Sequence, residues 1–184
     1  MSKILTVIGD LHLSKADRLK YASIIDGGRL FDKRAFLYHI RQRMFETGSK
    51  NLVIIGDFSN SNNPEEFIRK EVIKEFVGFL NAGISISLCV GNHETDGETN
   101  CFESIDSFCQ SLNGFNLGDR LFMVGPGEIK NIPLGEFPTV VLSGWETDRT
   151  KLQESLIDYV KSWNEKPLLL GNCGNVQIIH DYST

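Results

Sequence analysis

Three short apolar runs, each closed by a glycine and then an acidic or amide residue, constrain this chain more than any other feature. Residues 52–55 (LVII) are unbroken Leu, Val and Ile, the composition of a parallel strand buried on both faces, and they end at Gly56-Asp57. Residues 4–8 (ILTVI) end at Gly9-Asp10-Leu11-His12, and residues 84–90 (ISISLCV) end at Gly91-Asn92-His93-Glu94. Two helical patterns separate the runs. Residues 30–47 place Phe31, Ala35, Leu37, Ile40, Met44 and Phe45 near helical spacing and stop at Gly48. Residues 64–81 place Phe67, Ile68, Val72, Ile73, Phe76, Val77 and Leu80 on one broad face and end before Gly83. Asn63 as N-cap, Pro64 at N1 and Glu66 at N3 form a capping-box start for that second helix. The alternation of strand and helix predicts an α/β fold around a parallel sheet with right-handed crossovers.

The remainder is less regular. Residues 15–28 read as a polar surface loop over the strand ends, and residues 102–112 as a helix. Strands are expected over 121–124 and 139–142, joined by a loop rich in Gly and Pro. A further amphipathic helix is expected over 150–163, with Leu152, Leu156, Ile157, Val160 and Trp163 on its apolar side. Two last strands, 168–170 and 176–179, follow, the second ending at His180-Asp181. No internal repeat or linker divides the chain, so its 184 residues are expected to form one domain, 1–184.

Composition excludes several classes. Hydrophobic and charged fractions of 41% and 23% are those of an ordinary soluble globular protein. No apolar run approaches the roughly 18 residues a membrane span needs, and residues 1–10 lack the pattern of a secretory signal. Cys89, Cys101, Cys109 and Cys173 form no C-x-x-C pair and read as reduced thiols of a cytoplasmic protein. The net charge of −5 argues against a generally basic nucleic-acid binder. Residues 1–50, however, hold ten Lys/Arg against five acids, a local +5 that leaves −10 on the rest. A basic first quarter on an acidic body suits a polyanion docking on one face; a solvated helix surface explains it equally well.

The chemistry lies at the strand ends. Parallel strands bring their carboxyl ends side by side, so Asp10 with His12, Asp57, Asn92 with His93, and His180 can converge on one edge. Carboxylate, imidazole and amide oxygen without thiolate form a ligand set for Mn²⁺, Fe or Zn²⁺. A central carboxylate, Asp57, can bridge two ions about 4 Å apart. Taken singly, each element has a plain structural explanation: a turn aspartate, a chance D-x-H, an Asn after Gly, a histidine packed in a core. His39 is read as structural. Three Gly-led boxes in order, each closing a strand, are harder to explain that way.

The boxes GDLH (9–12), GD (56–57) and GNHE (91–94), with the later strand-end His180, resemble the calcineurin-like metallophosphoesterase family over nearly the whole chain. The resemblance implies a metallophosphoesterase-type β-sandwich flanked by helices. It further implies that Asp10 and His12 hold one divalent ion, that Asp57 bridges, and that Asn92 and His180 hold a second. His93 would contact the phosphate or protonate the leaving oxygen. Two divalent ions would serve, Mn²⁺ first, with Fe, Zn²⁺ and Mg²⁺ as alternatives, stabilising in-line attack on phosphorus.

Asn60 stands where phosphatases of the family often carry a second acid. The stretches GDLHL and GDFSNSNNPEE, with the basic loop after the first, resemble SbcD-type DNA-repair nucleases. That subgroup implies an exonuclease/endonuclease subunit acting on DNA ends, partnered by an SMC-like coiled-coil ATPase and able to form a homodimer; with no spanning apolar run, no membrane partner is expected. A phosphatase or small-molecule phosphodiesterase is the alternative within the family. The family's last box, G-H-x-H, does not occur, and the histidines are His12, His39, His93 and His180 alone. The fold is therefore expected to be incomplete on its C-terminal side. A catalytically weak form that binds protein or DNA as a scaffold is the third reading.

Overall fold

The apolar run at 52–55 is buried on both sides, and the two sides face different partners. In the computed structural model, which describes residues 4–14, 29–96, 120–132, 134, 140–161, 168–173 and 176–181, this run is β2 (Asn51–Ile55). It lies between β1 (Thr6–Ile8) and β3 (Ser85–Cys89), and β4 (Leu121–Val124) completes the sheet in the order β1-β2-β3-β4. Every pairing in this sheet is parallel. The period-2 alternation of strands sends Leu52 and Ile54 to one face and Val53 and Ile55 to the other. Leu52 and Ile54 pack under α1 (Arg29–Thr47) and α2 (Glu66–Asn81), against Leu37, Met44, Phe76 and Leu80.

Val53 and Ile55 meet a second sheet instead. It comprises β5 (Ile129–Ile132), β6 (Val140–Glu146), β7 (Leu168–Cys173) and β8 (Val176–Asp181), in that order. Ile132, Val140, Leu142 and Leu170 fill the space between the sheets with Cys89 and Val124. On the outer face of the second sheet, Val141 packs against Leu152 and Leu156 of α3 (Arg149–Lys161). The layers are therefore helix, sheet, sheet, helix: a β-sandwich flanked by helices, as expected from the resemblance.

The differences from the sequence reading have local causes. The second sheet is mixed, with β6 and β7 parallel but β5 and β8 antiparallel to their neighbours. β5 falls in the stretch expected as loop; its four residues carry Lys130 and Asn131 outward and only Ile132 is buried, too short a pattern to register as a strand. α2 starts two residues late. Glu65 is extended (φ −58°, ψ 151°) at its N-cap and makes no side-chain cap bond, while Asn63 accepts from Arg69 instead (3.3 Å). Phe45, at near-helical spacing with the apolar residues of α1, is 80% exposed, and Ile157, expected on the apolar side of α3, is 43% exposed. The helix expected over 102–112 lies outside the described residues. Among the described residues no helix is long and apolar enough to cross a membrane.

The basic first quarter is partly spent within the fold. Arg34 Nε lies 3.0 Å from Glu71 and Arg41 Nη1 lies 3.7 Å from the buried Glu75, both acids on α2. Arg43 pairs with Glu46 at 3.0 Å on its own helix. Glu46 is already counted in the +5 of residues 1–50, but Glu71 and Glu75 are not, so the pairs of Arg34 and Arg41 lower the charge that α1 offers to a polyanion.

Candidate metal centre

β1 and β2 keep pairing after their strands end. Asp10 N donates to Gly56 O (3.4 Å), His12 N to Asp57 O (2.7 Å), Leu13 N to Phe58 O (2.8 Å), and Asn60 N to Leu13 O (3.0 Å). The two Gly-Asp loops thus run on side by side, with Leu13 bridged to Ser59. Buried Leu13 and Phe58 anchor them in the core beneath the helices. Within this pair the backbone enters the left-handed region at Asp10 (φ 54°), His12 (48°) and Asp57 (54°), and at no other non-glycine position among the described residues. Each such residue costs on the order of 1–2 kcal/mol, less for Asp and His than for a bulky side chain. A loop optimised for stability alone would place glycine there; retained strain of this kind concentrates at functional sites.

Asp10, His12 and Asp57 are also the residues that converge. Each offers one ligand atom, and these atoms lie within 4.8 Å of one another. Asp57 is buried, whereas the Asp10 side chain is 63% exposed and that of His12 36%. His12 Nε2 stands 3.8 Å from Asp10 Oδ1, and its buried Nδ1 has no hydrogen-bond partner. Lys33 Nζ on α1 donates to the His12 carbonyl (2.6 Å) and fixes that turn from the helix side. Two carboxylates this close repel, and a cation between them reverses the sign of that interaction. The oxygen and imidazole donors, together with the orphaned Nδ1, fit a divalent cation of the Mn²⁺, Fe or Zn²⁺ kind.

The third box completes the edge. The His93 ring is exposed and stands edge-on to His12, with centroids 4.7 Å apart, and Asn92 beside it is half-buried. Glu94, singled out by sequence only as the end of its box, is fully buried beside Asp57. Its Oε2 accepts from Asp57 N (2.9 Å) and Gly91 N (2.7 Å), and its Oε1 from Ser59 N (2.7 Å). Burial pushes its pKa up to about 7 against the pull of these three N–H donors, and the nearby Asp57 charge adds to the rise. Gly91 must be glycine: a Cβ there would lie 2.5 Å from Asp57 N and Oδ1 and 2.6 Å from Glu94 Oε2.

The second sheet joins the same edge through β6. Trp145 N donates to Val90 O (2.8 Å), Val90 N to Val124 O (3.0 Å), and Gly127 N to Trp145 O (2.9 Å). The carboxyl ends of β3, β4 and β6 therefore meet, and the parallel β7 ends at this edge too, at Cys173. β8 runs the other way. Its backbone register sets His180 opposite Leu169, near the amino end of β7, four residues from Cys173. The reading that carried His180 to the metal edge assumed a parallel strand; antiparallel pairing takes the carboxyl end of β8 to the opposite side.

Residues 4–172 match the calcineurin-like phosphoesterase family. This chain belongs to that family. No curated protein matches it. Among solved structures, the nuclease MPE of Pseudomonas putida is similar over 77% of this chain, at 17% identity and a TM-score of 0.42. The chain spans 54% of the length of that structure. In this calcineurin-like phosphoesterase the first three boxes form one continuous edge, and Glu94 is the residue that sequence reading passed over. A buried acid three places after a glycine has no distinctive sequence signal, because its partners are backbone amides from two distant loops.

Proposed function

We propose that this chain is a metal-dependent phosphodiesterase acting on nucleic-acid ends, a nuclease of the calcineurin-like family. The observation that carries the metal-dependent part is the convergence of Asp10, His12 and Asp57, each on left-handed backbone. Asp10, His12 and Asp57 would hold one divalent ion, and Asp57 with Asn92 would offer donors to a second. When bound, such ions supply the nucleophile and offset charge on the phosphoryl oxygens. His93, exposed and steadied by the His12 ring, is the residue of this edge free of a ligand role; it would contact the phosphate or hand a proton to the leaving oxygen. The DNA substrate, Mn²⁺ as the metal, and an SMC-like ATPase or a second copy of the chain as partner rest on the likeness of GDLHL and GDFSNSNNPEE to SbcD-type nucleases.

The ion pairs of Arg34 and Arg41 with α2 favour a second reading, a small-phosphoester substrate, because they reduce the cationic face available to a DNA backbone. Hydrolysis of linear duplex DNA and of bis-p-nitrophenyl phosphate, each with and without Mn²⁺, separates the two. The expected result is Mn²⁺-dependent cleavage of DNA, lost in Asp57→Asn by more than the roughly 10–100-fold typical of an outer-shell change. Cleavage of the small ester alone would establish the second reading. No cleavage above the Asp57→Asn background would leave a metal-binding or scaffold role.

A further inference from the structure

Asp57 is flanked by two backbone amides held by one acceptor. Its own N–H and that of Ser59, two residues on, both donate to the Glu94 carboxylate, one to each oxygen. The third donor, Gly91 N, comes from the end of β3, one residue before Asn92. One buried side chain therefore spans the two loops that carry the central carboxylate and the amide of the third box. The approach is close enough that Gly91 has no room for a Cβ between Asp57 and Glu94.

We propose that Glu94 is the positioning residue of this centre: it holds Asp57 in its left-handed turn and sets the separation between Asp57 and Asn92, and so determines affinity for a divalent cation. The inference rests on the metal-centre reading above. Geometry makes Glu the residue the position requires. Three N–H groups converge on two oxygens, which asks for a group that accepts at both ends. A glutamine keeps the shape, but turns an NH₂ donor toward at least one of those N–H groups. Removing the contact does not unmake the strands, whose ladders run on to Ile55 and Cys89 without Glu94. What it frees is the turn at Asp57, which without a clamp relaxes toward right-handed backbone and swings the carboxylate away from Asp10 and His12.

The test uses the full chain and Mn²⁺ as the probe, titrated calorimetrically into wild type, Glu94→Gln and Asp57→Asn, with thermal melts of each. The expected result is a folded Glu94→Gln protein whose Mn²⁺ affinity falls roughly 10–100-fold, the range for residues that orient ligands without touching metal. Wild-type affinity in Glu94→Gln beside a clear loss in Asp57→Asn would overturn the positioning role and leave the metal centre standing. Equal Mn²⁺ binding, or none, in wild type and Asp57→Asn would remove the metal centre itself and this inference with it. Should Glu94→Gln fail to fold, amide hydrogen exchange on the wild type decides. The Asp57, Ser59 and Gly91 amides should be protected and gain protection together when Mn²⁺ is added; fast or independent exchange would overturn the clamp.

Discussion

Asp57 combines a left-handed backbone with a nearly buried carboxylate, two unfavourable conditions that the chain maintains through its neighbours. Gly91 is the least replaceable of them. In Gly91→Ala the new methyl must displace Asp57 or the Glu94 carboxylate, so the protein should lose Mn²⁺ binding and about 1–3 kcal/mol of stability, measured by urea unfolding. A variant that unfolds like wild type and binds Mn²⁺ equally would mean the two loops are not in contact. Cys89 is a separate case. Full burial between the sheets pushes its thiol from an ordinary 9.0 up to about 12, opposed by a backbone hydrogen bond from Ser143. Between those values the unfolded chain releases the proton and the folded one keeps it. Stability should therefore fall as pH rises above about 9, by about 1.4 kcal/mol per pH unit from this group. A Cys89→Ala protein should lack that component of the slope, and native wild type should resist thiol labelling at Cys89 near pH 8.

At the scale of elements, what holds each helix differs. The Asp148 carboxylate caps α3, accepting from Thr150 N (2.9 Å) and Lys151 N (3.2 Å). The Glu146 carboxyl just before it is held below the usual carboxylate range by Lys151 and by the Asp148 amide. Asp148→Ala should cost about 1 kcal/mol in chemical denaturation while leaving Mn²⁺ binding unchanged, because α3 covers the outer face of the second sheet. Reduced metal affinity in that variant would show that the outer helix and the site are coupled. α2 has no side-chain cap and relies on packing instead, with Ile68, Val72, Phe76, Phe79 and Leu80 buried. α1 and α2 are further joined by Arg41, whose guanidinium sits over the rings of Phe79 (5.6 Å) and Tyr38 (5.8 Å) beside Glu75.

For the whole molecule, the core under the helices and the metal edge are one structure. Phe58, the residue after Asp57, is fully buried with its ring 5.3 Å from that of Phe76 on α2. The site loop is thereby pinned to the same packing that stabilises the domain. Phe76→Ala should cost about 3–5 kcal/mol, a large part of the roughly 5–15 kcal/mol that keeps a domain folded. Equilibrium unfolding checks the magnitude. Mn²⁺ added to that variant should recover part of the loss, since a cation that binds only the folded loops shifts the equilibrium toward them. No recovery would separate the edge from the core.

The first sheet and its loops were written in the order of residues. Leu52 to Ile55, with the flanking helical patterns, carried enough signal to specify parallel strands, and Gly-Asp or Gly-Asn after each strand marked the ends that meet on one edge. Asp10, His12 and Asp57 were legible because parallel strands place their ends together by topology, whatever lies between. Three features came only with folding. Antiparallel pairing of β8 with β7 took His180 to the opposite edge, because strand direction depends on the partner and not on the strand's own residues. Ion pairs with Glu71 and Glu75 turned basic residues of α1 inward, because charge in sequence says nothing of what faces it across a helix pair. And Glu94 became the clamp of the site, because its three partners are backbone amides that only the folded loops bring within reach.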